Sequence, residues 1–151
     1  MKFLFTAAAA CAVDTTIKEY IEKQPEDYRK ELLGGRVVLR KSHNQGAMLN
    51  LMEKRQELVA GFSLGLTAAL TCLWAALPAD KSFRGLKGGL SLLLAGAYSN
   101  VLDRVRRGYV VDYFSLNVGG RLKKVVFNLG DLFIFLGSFL TAVTARSFRR
   151  R

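Results

Sequence analysis

The chain has a single histidine, His43, only two cysteines, Cys11 and Cys72, and no Cys-x-x-Cys pair. A zinc site would have to be assembled from scattered ligands, so no metal and no cofactor is expected. A Ser-His-Asp or Cys-His site could use only His43, which lies in a polar stretch, and nucleophilic chemistry of that kind is set aside. Both cysteines fall inside apolar runs, where a free thiol behaves as a small hydrophobe. Carboxylates are scarce too: 12 Asp and Glu stand against 23 Lys and Arg, for a formal net charge of +11. Such an excess can neutralise phosphates, yet the basic residues flank apolar runs, as Arg146, Arg149, Arg150 and Arg151 do after the last one. They lack an aromatic or recognition-helix setting, so no nucleic-acid partner is expected. Contact with anionic lipid headgroups fits them better.

Charge of either sign is missing altogether from Leu58 to Ala79. Those 22 residues exceed the roughly 20 that a helix needs to cross a hydrocarbon core. Three shorter runs, Phe3 to Val13, Gly88 to Leu102 and Leu132 to Ala145, reach that length only by taking in a charge. Lys87 can snorkel to the headgroups. Asp14, Asp103 and Asp131 cannot reach so far, and are expected to face protein or water. The expected fold is an α-helical integral membrane protein, a single domain over 1–151 with four transmembrane helices at about 2–18, 57–79, 86–104 and 127–146. Residues 19–56 form its extracytoplasmic region.

The start, Met1-Lys2 followed by FLFTAAAACAV, also resembles a signal peptide with a cleavage site at Ala8-Ala9-Ala10-Cys11. The apolar pattern continues through Asp14 and Ile17, however, and three more apolar runs follow, which favours a retained first helix. Between Lys18 and Gly35 a short interfacial helix around Pro25 is expected, stopped by Gly34-Gly35. Val37-Val38-Leu39, then Asn44-Gln45-Gly46, reads as a strand, a turn and a second strand in a small sheet on the membrane surface. Gly61, Gly65, Ala68 and Ala69 are small residues suited to close helix packing in lipid. Trp74 is expected as an interfacial anchor.

The short loop PADKSFRGLK carries Lys81, Arg84 and Lys87 against Asp80, which places it in the cytoplasm. Counting helices from there puts both termini in the cytoplasm as well. The other two connections, Lys18 to Glu57 and Arg104 to Lys124, are also rich in basic residues, so the charge rule is in conflict with itself.

Candidate site residues gather where the apolar runs begin and end. Asn100, Asp103, Arg104 and Arg107 share one helical face. Asp103 and Arg107 could simply pair there. Tyr109 to Phe114 is β-prone, and Val125-Val126-Phe127 leads back toward an apolar run. If these two stretches lie side by side, Asp112 and Asp131 converge. A close carboxylate pair in a partly desolvated place holds one proton near neutrality and can hydrolyse a peptide: the ionised member takes a proton from water while the protonated member donates to the scissile carbonyl.

The series Asp14-x-x-x-Lys18, Asn44-Gln45-Gly46-Ala47, Asn100-Val101-Leu102-Asp103-Arg104, Val110-Val111-Asp112-Tyr113-Phe114 and Phe127-Asn128-Leu129-Gly130-Asp131 resembles the lipoprotein signal peptidases, or signal peptidase II. The resemblance implies a membrane-embedded aspartic peptidase of the bacterial cytoplasmic membrane with Asp112 and Asp131 as its dyad. Asn44, Gly46, Asn100, Arg104 and Asn128 would bind substrate or orient the dyad, and Asp14, Lys18 and Asp103 would be structural support. The implied partner is a prolipoprotein signal peptide whose lipobox cysteine carries diacylglycerol, cut before that cysteine at the extracytoplasmic face; membrane lipids surround an expected monomer. Ala95 and Ser99 stand where the family usually has glycine, Gly130 where it has alanine, Ile17 where Ser or Thr is usual, and Leu49 where phenylalanine is usual. Rival readings are a small transporter with acids near the bilayer midplane and a noncatalytic relative that binds lipoproteins.

Overall fold

The computed structural model describes residues 2–46, 55–118, 123 and 125–148. Its elements in order are α1 (Lys2–Glu22), β1 (Arg29–Leu32), β2 (Val37–Asn44), α2 (Gln56–Ala76), α3 (Arg84–Arg107), β3 (Val110–Leu116) and α4 (Leu129–Phe148). The three strands form one antiparallel sheet in the order β1-β2-β3. Two helical stretches, Gln56–Ala76 and Leu129–Arg146, are long and apolar enough to cross a membrane.

Helix α3 is the hub, packing on α1, α2 and α4. Its seam with α4 is built from glycines two turns apart on each helix. A Cβ on Gly96 would collide with the Gly130 carbonyl, one on Gly137 with the Leu93 amide, and one on Gly89 would sit 2.7 Å from the Thr141 amide. Backbones that approach this closely gain dispersion contacts and exclude side chains. Small residues on α2 were expected to do this work, and the structure corrects that: a Cβ at Gly61 or Gly65 would meet nothing within 4 Å, and Ala68 and Ala69 are exposed. Instead α2 is held to α3 by polar contacts. Trp74 Nε1 donates to Ser91 Oγ at 2.8 Å, and the Thr71 and Tyr98 hydroxyls lie 2.8 Å apart. Helix α2 ends at Ala76, short of Ala79, because Pro78 drives Leu77 to extended angles.

The expected interfacial helix around Pro25 is also overturned. Helix α1 runs unbroken to Glu22, with Lys18 and Ile21 buried on its inner face. A turn at Pro25 follows, closed by Tyr28 N–H to the Pro25 carbonyl at 3.0 Å. Arg29–Leu32 then pairs with Val37–Arg40 as a strand although all four of its side chains are exposed. Backbone pairing, not an apolar pattern, decides that segment. The hairpin turns at Leu33, Gly34 and Gly35, all at positive φ, where glycine pays no steric cost. The second strand expected after Gly46 lies outside the described residues.

One extra residue of β2 between Leu39 and Ser42 makes a bulge opposite β3, after which Ser42 faces Asp112 and Asn44 faces Val110. Side chains alternate across a sheet. Asp112 and Asn44 therefore share one face, while Tyr109, Val111 and Tyr113 turn to the other. There Val111, Tyr113 and Ile21 form a buried cluster with Ile17, Tyr28 and Leu129. Gly108 at φ 80° caps α3 and redirects the chain into β3.

Candidate active site

Asp112 and Asp131 come together because the chain entering α4 pairs with β3. Tyr113 and Phe114 both donate backbone N–H to the Phe127 carbonyl at 2.9 Å, and Phe127 N–H returns to the Phe114 carbonyl at 2.7 Å. The very next residue, Asn128, is fully buried and serves both acids. Its Oδ1 accepts from Asp131 N–H at 2.8 Å, while its own N–H donates to Asp131 Oδ2 at 3.2 Å. That reciprocal pair is a capping box, with the acid at the third helical position. Its Nδ2 donates to Asp112 Oδ1 at 2.7 Å. One asparagine thus starts α4 and bridges the two carboxyls.

The remaining acceptors are filled from other elements. Asn44 Nδ2 on β2 donates to Asp112 Oδ2 at 3.1 Å, and Asn100 Nδ2 on α3 donates to Asp131 Oδ1 at 3.0 Å. Burial, followed by the charge of Asp131, pushes the Asp112 carboxyl up to about 7, against the opposing pull of the Asn44 and Asn128 hydrogen bonds. Asp131 sits in the first turn of α4, where the helix N-terminus favours negative charge.

Behind the acids lies a buried ionic cluster. Lys18 Nζ is 2.9 Å from Asp14 Oδ2 and 3.3 Å from Asp103 Oδ2. Asp14 also accepts from Ser99 Oγ at 2.6 Å and from the Tyr113 hydroxyl at 2.8 Å, and Asp103 Oδ2 takes the Val111 N–H at 3.1 Å. Arg107 pairs with Asp103 as its helical spacing allows. Such a cluster is tolerated in an interior only when every charge is matched, and here two cations face two anions.

Tyr109 and Tyr113, which flank Asp112, face away from it and tie the sheet to α1. Tyr109 OH donates to Glu22 Oε1 at 3.0 Å, the other Glu22 oxygen lies 3.0 Å from His43 Nε2, and His43 stacks on Tyr109 at 4.2 Å. Ordinary packing and polar ties explain both tyrosines. Ser99, noted in the sequence only as a departure from the family's glycine, and Tyr113, quoted only as part of a motif, were not among the expected site residues, yet both support the cluster through Asp14. Ser99 could have been found from its position four residues before Asp103.

A cavity of about 640 Å³ runs between α2, α3 and α4. Its walls are apolar, with Leu58, Phe62, Leu66, Leu93 and Ile134 among them, and one end is polar, bearing Asn100, Arg104 and Asp131. Among the described residues, Arg104 Nη1 donates to the Asn100 carbonyl at 3.4 Å. Gly46 is buried just past Asn44; Ala47 and Leu49 lie outside the described residues. Among the described residues no group of three His, Cys, Asp or Glu is disposed to hold a metal ion.

The family model for signal peptidase (SPase) II matches residues 6–146. A lipoprotein signal peptidase of Moorella thermoacetica is 32% identical over 139 residues, covering 91% of this chain and 87% of the relative. One from Brucella ovis is 30% identical over 139 residues, covering 91% and 84%. Two solved structures, each described as a bacterial membrane enzyme determined by the in meso method, share the fold with TM-scores of 0.81. They are 21% and 22% identical, and the matches cover 97% and 95% of this chain and 88% and 92% of theirs. With a polar site set into helices and a family match over nearly its whole length, the chain belongs to the signal peptidase II family and is an aspartic peptidase.

Proposed function

We propose that this protein removes the signal peptide from diacylglyceryl-modified prolipoproteins, cutting before the lipobox cysteine, with Asp112 and Asp131 as the catalytic dyad. The observation that carries the reading is the double engagement of Asn128. It sets two carboxyls in one hydrogen-bonded frame, one of them poised near neutrality, at the polar end of an apolar cavity. An apolar signal segment suits the walls of that cavity, and a scissile peptide suits its polar end.

In the proposed reaction Asp131, ionised at the α4 N-terminus, takes a proton from water as the water oxygen bonds to the scissile carbonyl carbon. Asp112, protonated, donates to the carbonyl oxygen. The tetrahedral species collapses with its C–N bond breaking: the proton held by Asp131 passes to the leaving amine, and one hydroxyl returns its proton to Asp112 as the carbonyl of the new carboxylic acid forms, which restores both acids. Asn44, Asn100 and Asn128 orient the acids. Arg104, at the cavity's polar end, holds substrate. Asn44 Oδ1, buried with no partner among the described residues, accepts a substrate N–H.

The reading includes a topology. All four helices cross the bacterial cytoplasmic membrane as one domain over 1–151, with both termini in the cytoplasm and the sheet and dyad at the extracytoplasmic face. Supporting it, the ionic residues of α1 and α3 that would be costly in lipid, Asp14, Lys18 and Asp103, are turned inward and buried. The protein acts as a monomer in contact with membrane lipids.

The test is cleavage of a diacylglyceryl-modified prolipoprotein by protein purified in detergent, with a chelator control. Wild type cleaves just before the lipidated cysteine with or without chelator. Asp112→Asn and Asp131→Asn each lose at least about a thousandfold in kcat, equivalent to about 4 kcal/mol of barrier. Undiminished turnover in either variant removes that acid from the mechanism, and no cleavage by folded wild type points to a noncatalytic lipoprotein-binding relative.

A further inference from the structure

We infer that Lys18 is a positioning residue for the dyad: its ammonium holds the Asn100 side chain in the one orientation that donates to Asp131. The inference rests on the peptidase reading above. Lys18 is fully buried, and of its polar neighbours among the described residues the nearest is Asn100 Oδ1 at 2.7 Å, ahead of Asp14 Oδ2 at 2.9 Å, Ser99 Oγ at 3.0 Å and Asp103 Oδ2 at 3.3 Å. An ammonium has three protons and no lone pair, so each neighbour must turn an acceptor toward it. For an amide this leaves one choice. With Oδ1 on Lys18, Nδ2 points the other way and lies 3.0 Å from Asp131 Oδ1. A flipped amide would set NH₂ against the ammonium and a carbonyl against the carboxylate, replacing two attractions with two repulsions where the low dielectric magnifies both.

The ammonium does not need Asn100 for charge balance. Lys18 and Arg107 together already face Asp14 and Asp103. The short Lys18–Asn100 bond therefore serves orientation, and it joins α1 to the acid on α4 through a single α3 side chain. Lys18 does not line the cavity, so it acts on the reaction through Asn100 and not through substrate.

A double-mutant cycle tests this with the full-length protein in detergent and the lipidated prolipoprotein. Lys18→Gln is neutral and shorter. It lowers kcat by about 30-fold and leaves KM within about twofold, a loss confined to the chemical step. In an Asn100→Ala background the same substitution changes kcat by less than about twofold, because the relay is already cut. Equal losses in the two backgrounds assign Lys18 a purely structural role and overturn the inference. If Lys18→Gln does not accumulate as folded protein, Lys18→Arg replaces it, keeping the charge that Asp14 and Asp103 require. A tenfold or greater fall in kcat at an unchanged thermal midpoint then supports positioning, about tenfold being 1.4 kcal/mol, and wild-type kcat refutes it. Failure of wild type to cleave brings down the peptidase reading and the positioning role together, whereas normal cleavage without coupling brings down only the latter.

Discussion

Helix α3 meets its neighbours α4 and α2 in two different ways. Against α4 the contact is backbone to backbone, with Gly89 and Gly96 facing Gly130, Gly137 and Thr141 at distances that leave no room for a Cβ. Against α2 it is made by side chains, through Trp74 and the Thr71–Tyr98 hydroxyl pair, and the glycines of α2 face open space. The cavity lies between these two junctions. Its α3–α4 wall, which carries Asn100, Arg104 and Asp131, is locked by packing, and its α2 wall is lightly held. A hydrolytic site needs its acids fixed within tight limits, while a site that admits an apolar segment from the side benefits from one wall that can yield.

The largest effect that could break this contrast comes from adding one methyl to each junction. Gly96→Ala drives a Cβ into the Gly130 carbonyl and is expected to cost about 3 kcal/mol or more, in the upper range for overpacking. Gly65→Ala meets nothing and is expected to be neutral or to stabilise by up to about 1 kcal/mol through helix propensity. Thermal midpoints in detergent measure both, and similar values for the two variants would remove the distinction between the walls.

A pH series probes the locked side next. In the proposed mechanism Asp112 donates a proton and must hold one, and its carboxyl is pushed up to about 7. Cleavage is therefore expected to fall as pH rises above about 7, approaching tenfold per unit. The sign for stability follows from the same shift. The folded state binds this proton more tightly than the unfolded chain, whose carboxyl titrates near 3.8. Asp112 thus costs stability progressively as pH rises from about 4 to 7, and the cost stays constant above that. Asp112→Asn should be inactive yet raise the thermal midpoint at pH 8 by a few degrees. A midpoint lowered at pH 8 would contradict the burial argument.

The smallest effect concerns two departures from the family pattern that meet at one atom. Ser99, where glycine is usual, places its Oγ 2.6 Å from Asp14 Oδ2. Gly130, where alanine is usual, leaves out a methyl that would lie 2.9 Å from that same oxygen and 3.2 Å from Asn100 Oδ1. Gly130→Ala is expected to lower kcat about tenfold, or 1.4 kcal/mol, by displacing Asn100. Adding Ser99→Gly lets the Asp14 carboxylate retreat and should recover most of that loss. Simple additivity of the two substitutions in kcat would show that they are independent.

Much of this was legible in the chain itself. The uncharged run from Leu58 announces α2, and the β-prone stretches Val37-Val38-Leu39 and Tyr109 to Phe114 announce β2 and β3, because periodicity and strand propensity depend on residues a few positions apart. Gly34-Gly35, expected to stop a helix, turns a hairpin instead. The same local logic erred at Pro25, where pairing with β2 made a strand of exposed residues. It erred again on α2, whose small residues face outward because the close approach was taken by α3 and α4. The sequence offered the convergence of Asp112 and Asp131 only on the condition that two β-prone stretches lie side by side, and no local rule could name Asn128 as the bridge between them or tell which acceptor the Lys18 ammonium would meet. Its partners Ser99 and Asn100 lie 81 and 82 positions away, and Tyr113 reaches Asp14 across 99. A buried charge takes its partner from whatever the packing delivers to it, so the sequence alone determined the four helices and the identity of the candidate acids, and tertiary structure decided where the hairpin turns and which groups hold those acids in place.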